Sequence, residues 1–412
     1  MGIIVQKFGG TSVGTLERME RVANRIIQTR EQGHEVVVVV SAMGKSTDIL
    51  VDMAKQLSGK PSEREMDMLL TTGEQVSISL LSIALQQKGY RAVSLTGWQA
   101  GIVTEPVHNK ARIRKIDSNK VSKYLKEDNI VIVAGFQGVT EGGQITTLGR
   151  GGSDTTAVAL AASLQAELCE IYTDVSGVFT ADPRIASRAR KLNSISYDEM
   201  LELANLGAGV LHPRAVECAK RYNVKLTVRS SFGEEEGTMI QEEPDMENGL
   251  MISGVAHDES VAKITVVNLQ NKIGALSSIF STLAQAHINV DVIIQSANES
   301  STTTIAFTVA EDDLVRTIDL LKRDQERLNF EEVRAEKGLA KVSIVGAGMV
   351  SNPGVAASMF KYLASAGIDI LMVSTSEIKV SCIISTELAK LAVQTLHSAF
   401  GLDAAELAEV HG

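Results

Sequence analysis

Ile3-Ile4-Val5-Gln6-Lys7-Phe8-Gly9-Gly10-Thr11-Ser12 is the stretch on which the reading of the fold turns. A run rich in β-branched apolar residues stops at two glycines and hands over to an amphipathic stretch. There Leu16, Met19, Val22, Ala23, Ile26 and Ile27 recur at the 3.6-residue period of a helix. The unit is therefore strand, tight turn, helix. Gly9 and Gly10 let backbone N–H groups approach an anion closely, the following helix N-terminus adds a positive dipole, and Lys7 brings a mobile point charge. The same turn also serves as a plain strand-to-helix connection, and both readings stay open at this point.

Working outward, apolar runs at Val36–Ala42, Ala92–Leu95, Ile130–Phe136, Glu170–Thr173 and Leu226–Arg229 alternate with helical patterns over Glu63–Lys88 and Asp154–Leu164. This alternation predicts an α/β domain over residues 1–231. The chain has 412 residues, room for roughly three folding units. Its 44% apolar and 22% charged residues are those of a globular protein, which excludes a disordered or collagen-like chain. The longest apolar β-branched run, Val36–Val40, is a buried strand, well short of the ~20 residues of a bilayer span. The first residues enter a strand at once, without a signal peptide's regions, and Cys169, Cys218 and Cys382 form no CxxC pair, so a cytoplasmic chain with no membrane partner is expected. The net charge of −10 argues against a nucleic-acid surface, and any anionic substrate must meet cations or backbone donors gathered locally.

Residues 232–251 contain Glu234-Glu235-Glu236 and Gln241-Glu242-Glu243-Pro244-Asp245 and read as an exposed acidic linker. Beyond it the chain repeats itself. Ala262-Lys263-Ile264-Thr265-Val266-Val267 matches Ala340-Lys341-Val342-Ser343-Ile344-Val345, and Gly274, Phe280, Leu283, Ala284 and Ile288 align with Gly354, Phe360, Leu363, Ala364 and Ile368. Two units, 252–336 and 337–412, are expected, each strand, glycine loop, helix, strand. They are either plain ferredoxin-like units or a paired ligand-sensing module.

Gly149-Arg150-Gly151-Gly152-Ser153-Asp154-Thr155-Thr156 also precedes an apolar helix. Ser153 or Asp154 as an N-cap would explain one residue but leave Arg150 and three glycines unaccounted for, which favours anion binding. Tyr172-Thr173-Asp174-Val175-Ser176-Gly177-Val178-Phe179-Thr180-Ala181-Asp182-Pro183-Arg184 leaves a strand through Gly and Pro turns, as a nucleotide loop or a structural turn would. Gly44-Lys45-Ser46 lacks the earlier glycine of a Walker A loop, where Val39 stands. Gly346-Ala347-Gly348 lacks the third glycine of a dinucleotide fingerprint, where Ser351 stands. No histidine spacing supports zinc hydrolysis or a protease triad.

Taken together and in this order, these motifs resemble aspartate kinase along that family's whole length. Val39-Val40-Ser41-Ala42-Met43-Gly44, Thr72-Gly73-Glu74, Val210-Leu211-His212-Pro213 and Val373-Ser374-Thr375-Ser376-Glu377 belong to the same match. It is similar to the monofunctional Gram-positive type, without a homoserine dehydrogenase part. The resemblance implies an α/β three-layer amino-acid-kinase sandwich followed by a pair of ferredoxin-like βαββαβ ACT domains. It implies conversion of ATP and L-aspartate to ADP and 4-phospho-L-aspartate, the first step toward lysine, threonine, methionine and diaminopimelate.

By motif position, Lys7, Phe8, Gly9, Gly10, Ser41, Thr173, Asp174, Phe179 and Arg184 would meet ATP, with Mg²⁺ on its phosphates and no dedicated protein ligands. Thr47, Glu74, Arg150, Gly151, Gly152 and Ser153 would meet aspartate, and Lys7, Arg150 and Asp154 would act in catalysis. Lysine, threonine or both would bind between ACT units at Asn271, Gly274, Ala275, Leu276, Asn289, Asp291, Gln295, Val355, Ala356, Asp369, Ile370 and Ser376. A homo-oligomer joined through ACT units is implied, and Met239, Met246 and Met251 offer internal starts for a separate regulatory chain. An amino-acid sensor with a lapsed kinase domain, or a kinase acting on glutamate, are the alternatives.

Overall fold

The computed structural model describes residues 2–207, 209–242, 251–270, 272–297, 302–349 and 352–403. They form two compact units. The first holds the chain to Val178, Lys191–Asn205 and the stretch from Gly209 into the acidic segment; the second holds Phe179–Arg190, Leu206, Gly207 and the described chain from Met251 onward.

The first unit opens with β1 (Ile3–Phe8), α1 (Leu16–Glu31), β2 (Glu35–Val40), α2 (Ser46–Leu57), α3 (Glu63–Gln87) and β3 (Ala92–Leu95). Next come β4 (Ile102–Thr104), β5 (Ile113–Ile116), α4 (Asn119–Lys126), β6 (Ile130–Ala134), β7 (Gln137–Thr140), β8 (Ile145–Thr147) and α5 (Gly152–Leu164). It closes with β9 (Leu168–Thr173), β10 (Ser194–Ser196), α6 (Tyr197–Asn205), α7 (Pro213–Tyr222), β11 (Leu226–Ser230) and β12 (Thr238–Gln241). The main sheet has the order β10-β12-β11-β9-β1-β2-β6-β3, and β4, β5, β7 and β8 make a smaller one.

Val36–Val40 are buried throughout because β2 lies in mid-sheet, parallel to β1 and β6, with helices on both faces. Met19, Val22 and Ile26 of α1 and Ile78, Leu81 and Leu85 of α3 pack on one face against Phe8, Val38 and Ile132. α5 packs against β1, β2 and β9. The chain leaves β1 toward β2 on one side and returns to β9 from α5 on the other, so the C-terminal end of β1 is a topological switch point, where open α/β sheets bind ligands. Gly9 and Gly10 sit there. α3 is long and apolar enough to cross a bilayer by length and composition. Yet it buries Asp67 and Glu74 beside Leu70, Ile78 and Leu81, which marks it as a helix of this core.

The acidic stretch does not run as an open linker. Thr238 and Ile240 are fully buried and β12 pairs antiparallel with β11. The Thr238 hydroxyl donates to the Leu192 carbonyl at 2.6 Å and accepts from the Val178 amide at 2.8 Å. Two inward residues among glutamates are too short a pattern for periodicity to register. Met246 lies outside the described residues.

The second unit comprises β13 (Gly254–Gln270), α8 (Ala275–Gln285), β14 (Ile293–Ala297), β15 (Thr302–Ala310), α9 (Leu314–Arg323), α10 (Gln325–Leu328) and β16 (Glu332–Val345), then α11 (Val355–Ser365), β17 (Met372–Thr375), β18 (Lys379–Ser385) and α12 (Ala389–Ala399). All its strands join one sheet, β14-β15-β13-β16-β18-β17. The halves are not consecutive, as 252–336 and 337–412 would have them. Val261–Gln270 of β13 pairs with β15 in the first half, while Gly254–Asp258 pairs with Lys341–Val345 of β16 and completes the second. Accordingly Ile252 and Val255 pack with Val342, Ile344, Leu363 and Leu396. The segment Phe179–Arg190 joins the same unit: the Thr180 carbonyl accepts from the Val255 amide at 2.8 Å, and its hydroxyl lies 2.9 Å from His397 Nε2.

If Gly254–Asp258 is the second half's fourth strand, Val255→Asp buries an unpaired carboxylate there and lowers stability by roughly 3 kcal/mol or more. Hydrogen exchange should then quicken in Lys341–Val345 and β18 before β15. Equal loss in β15 would contradict the shared-strand assignment.

Candidate active site

Glycines let the turns of the first unit interlock. A Cβ on Gly10 would stand 2.7 Å from the Ala42 carbonyl oxygen, and the Gly44 amide donates to the Gly10 carbonyl at 3.0 Å. The turn after β1 thus lies on the turn after β2. A Cβ on Gly73 would come within 2.8 Å of the Ala42 Cβ, so α3 also approaches that turn closely. This brings Glu74 Oε1 to the Ala42 amide, which donates to it at 3.0 Å. Thr72-Gly73-Glu74 is therefore a packing device and a carboxylate together.

The second glycine turn arrives from β8. Gly149 and Gly151 have φ of +76° and +66°, a left-handed backbone that glycine adopts without cost. A Cβ on Gly151 would strike the His212 ring at 2.1 Å, and one on Gly135 would meet Ser153 Oγ at 2.7 Å. Gly151 is itself the N-cap of α5 and gives no side-chain hydrogen bond, so neither Ser153 nor Asp154 caps the helix. Instead Ser153 Oγ accepts from Ser41 Oγ at 3.0 Å, and Asp154 Oδ1 lies 2.6 Å from Lys7 Nζ in a nearly buried ion pair. The ends of β1 and β2, the middle of α3 and the start of α5 thus come together around these polar side chains.

Glu74 is only 3% exposed, and its Oε2 has no hydrogen-bond partner among the described residues. Burial pushes its pKa from the ordinary 4.5 up to about 7, against the pull of the Ala42 amide. Arg150, next to Gly151, is exposed and makes no ion pair with a described residue. Thr47, in the first turn of α2, is half-buried. Thr173 Oγ1 donates to Asp174 Oδ1 at 3.0 Å at the end of β9, and the Ser231 amide donates to the Thr173 carbonyl at 2.8 Å.

Three expected ATP contacts lie outside these turns by their side chains or their unit. The Phe8 side chain is fully buried and stacks on Tyr172, with centroids 4.7 Å apart, so only its backbone faces the turn. Phe179 and Arg184 belong to the second unit, where Arg184 grips Asp182 with Nε and Nη2 at 3.0 and 2.6 Å. His212, quoted among the matching motifs but given no role there, has a ring that fills the space Gly151 leaves open and a pKa lowered by burial and by Arg214. The Arg214 guanidinium braces the turn by donating to the Leu148 and Ala111 carbonyls at 2.6 and 2.9 Å.

In the second unit, Gly274 and Gly354 are matching left-handed N-caps of α8 and α11, with φ of +91° and +102°. Asn289, Gln295, Asp369, Ser376 and Leu276 are exposed, while Ala275 and Ala356 are half-buried. Asp291 pairs with Lys341. Val355 is buried in the second half's core, and Ile370 packs against that core half-buried. Asn271 lies outside the described residues. Gln295 lies on β14, and Ser376 follows β17, the two outer strands of the sheet.

An α/β sheet with paired glycine turns at its switch point is the architecture of the amino acid kinase family, whose family model matches residues 2–230, and an ACT domain model matches 264–325 and 342–400. The chain is 62% identical to the aspartokinase of Bacillus sp. (strain MGA3) and 60% identical to aspartokinase 2 of Bacillus subtilis (strain 168), each alignment covering 98% of both chains. The crystal structure of E. coli aspartokinase III in complex with aspartate and ADP superposes with a TM-score of 0.82 at 27% identity, over 96% of this chain and 99% of that one. This chain belongs to the aspartokinases, ATP-dependent kinases that act on aspartate.

The buried Glu74 gives a signed test. Its folded pKa is raised, so ionisation opposes folding: stability falls as pH rises from about 4.5 to about 7 and stays lower above. Glu74→Gln should raise the unliganded protein's stability above pH 7, by at most about 3 kcal/mol, with no gain below pH ~4.5. Thermal melts across that range check this; a gain at acid pH would contradict a desolvated carboxylate.

Proposed function

We propose that the crevice at the end of β1 carries the γ-phosphoryl group of ATP to the side-chain carboxylate of L-aspartate, with Lys7, Glu74, Arg150, Ser153 and Asp154 as its working residues. The observation that carries this reading is the 2.6 Å pairing of Lys7 with Asp154 across the two glycine turns. A carboxylate with pKa near 3.9 is already ionised near neutrality and needs no general base. The difficulty is repulsion between this anion and a polyanionic phosphate chain, on a protein of net charge −10. Lys7, the Gly9 and Gly10 backbone and the uncapped start of α5 offset it. As the carboxylate oxygen–phosphorus bond forms, the bond from phosphorus to the bridging oxygen breaks and ADP leaves with that electron pair.

Asp154 holds Lys7 in place while the site is empty. The ammonium of aspartate would meet the unpartnered Oε2 of Glu74, which stays ionised once that charge arrives; Arg150 would clamp a carboxylate, with Thr47 beside it. Asp154 is taken by Lys7, so the residues present fit a nucleotide that carries Mg²⁺ on its own phosphates, where the ion supplies further charge neutralisation. Thr173 and Asp174 stand at the strand end that would face the nucleotide.

For the second unit we read feedback control by lysine, threonine or both, at sites centred on the glycine-capped starts of α8 and α11. E. coli aspartokinase III has been solved with lysine and aspartate in a T-state, at 27% identity and a TM-score of 0.75. The outer strands β14 and β17 end the sheet, and Ile293 and Ile294 on β14 are exposed, so a second copy pairing there would cover them. Both substrates are cytoplasmic metabolites, which supports a cytoplasmic enzyme.

Lys7→Ala should lower kcat at least about a hundredfold with the fold retained. Arg150→Ala should raise the KM for aspartate about tenfold or more and leave that for ATP within about twofold. Equal loss for both substrates would reject the carboxylate clamp, and near-normal turnover in the lysine variant would reject the site. Assays with lysine and threonine, singly and together, identify the effector.

A further inference from the structure

Asp67 is fully buried and has no place in the chemistry above, yet both of its carboxylate oxygens are engaged. Oδ1 accepts from Thr147 Oγ1 at 2.6 Å, Oδ2 lies 2.7 Å from His108 Nδ1, and the Asn109 amide donates to both oxygens at 3.2 Å. Those partners come from the end of β8 and from the loop between β4 and β5. Thr147 stands three residues before Arg150. Asn109, held in the left-handed region at φ +62°, places its carbonyl oxygen where a Cβ on Gly149 would be 2.7 Å away. The Ala111 amide donates to the Thr147 carbonyl at 3.0 Å, which closes the bracket behind the turn. Asp67 therefore grips both strands of chain that support the Gly149–Gly152 turn.

Its own position completes the argument. Asp67 and Glu74 are seven residues apart on α3, two helical turns, so they share a face of one rigid helix. One end of that face carries the carboxylate read as the ammonium contact; the other anchors the turn that presents Arg150. We propose that Asp67 is a positioning residue that fixes the separation of Glu74 from Arg150, and through it the length of amino acid the site accepts. The chemistry suits a ruler: the carboxylate is dry, accepts several hydrogen bonds, and loses much if any donor moves away. A substrate one methylene longer than aspartate then cannot satisfy both ends at once. Discrimination of this kind rests on placement of the polar ends, since a methylene in an apolar pocket alone separates substrates weakly.

The inference rests on Glu74 and Arg150 being the aspartate contacts, and the experiment separates the two levels. In full-length protein, KM for aspartate, KM for ATP, and the inhibition constant of glutamate against aspartate are measured for Asp67→Ala, Asp67→Asn, Thr147→Val and His108→Ala, beside Glu74→Gln and Arg150→Ala. Asp67→Ala should raise the aspartate KM about tenfold, leave the ATP KM within about twofold, and lower the glutamate-to-aspartate constant ratio at least about fivefold. Asp67→Asn, which keeps the shape and one acceptor oxygen, should recover most of the loss. Thr147→Val and His108→Ala each remove one partner and should move the ratio the same way, and they carry the test if Asp67→Ala does not fold. Parallel rises in both KM values with an unchanged ratio would mean a merely structural carboxylate and overturn the proposal. If Glu74→Gln and Arg150→Ala leave the aspartate KM unchanged, the substrate assignment fails and the ruler falls with it. If they raise it and the clamp variants leave the ratio alone, only the ruler fails.

Discussion

The nearly buried ion pair between Lys7 and Asp154 joins two glycine turns that lie about 140 residues apart in the chain. Neither turn is an anion site of much power alone, since each supplies a few backbone donors and a helix end in a strongly negative protein. Joined, they place a cation, two runs of small residues and the start of α5 in one crevice. Four glycines work toward that approach: Gly10 against Ala42, Gly73 against Ala42, Gly135 against Ser153, Gly151 against His212. A side chain at any of them would push a layer away before it changed any charge.

Glu74 shows what such closeness costs. A carboxylate with one oxygen bonded to an amide and the other without a partner is held in a dry place, and its raised pKa measures the penalty. Residues kept against such a penalty are candidates for binding a charge that arrives later. Arg150 is the reverse case, an exposed cation between two left-handed glycines with no ion pair among the described residues. One group is desolvated, the other open to water.

Much of this was legible from residue order because strong local patterns coincide with structural necessity. Val36–Val40 can only be a buried strand, and Gly10, Gly149, Gly151 and Gly152 mark turns that a side chain would block. What stayed hidden depends on partners remote in sequence. Phe8 belongs to a nucleotide-binding motif by position but to the core by its stack on Tyr172. Thr238 and Ile240 are two inward residues among glutamates, and only the edge of β11 makes them a strand. Asp67 resembled any polar residue on an amphipathic helix; its importance lies in Thr147, His108 and Asn109, none of which periodicity can connect to it.

The repeat carries the same lesson into regulation. Residue matching correctly pairs Ala262–Val267 with Ala340–Val345, but equality of sequence says nothing about which strand closes which half. The sheet closes the second half with Gly254–Asp258, so one 17-residue strand, β13, serves both halves. Consecutive halves would each hold all of their own strands. Here the two ends of one strand lie in different cores: Val255 packs with Val342 and Ile344, while Ile264 and Val266 pack with Ile305 and Phe307. A slip of β13 along its own axis would therefore turn buried side chains outward in both halves at once, whereas a defect confined to Gly254–Asp258 falls first on the second half.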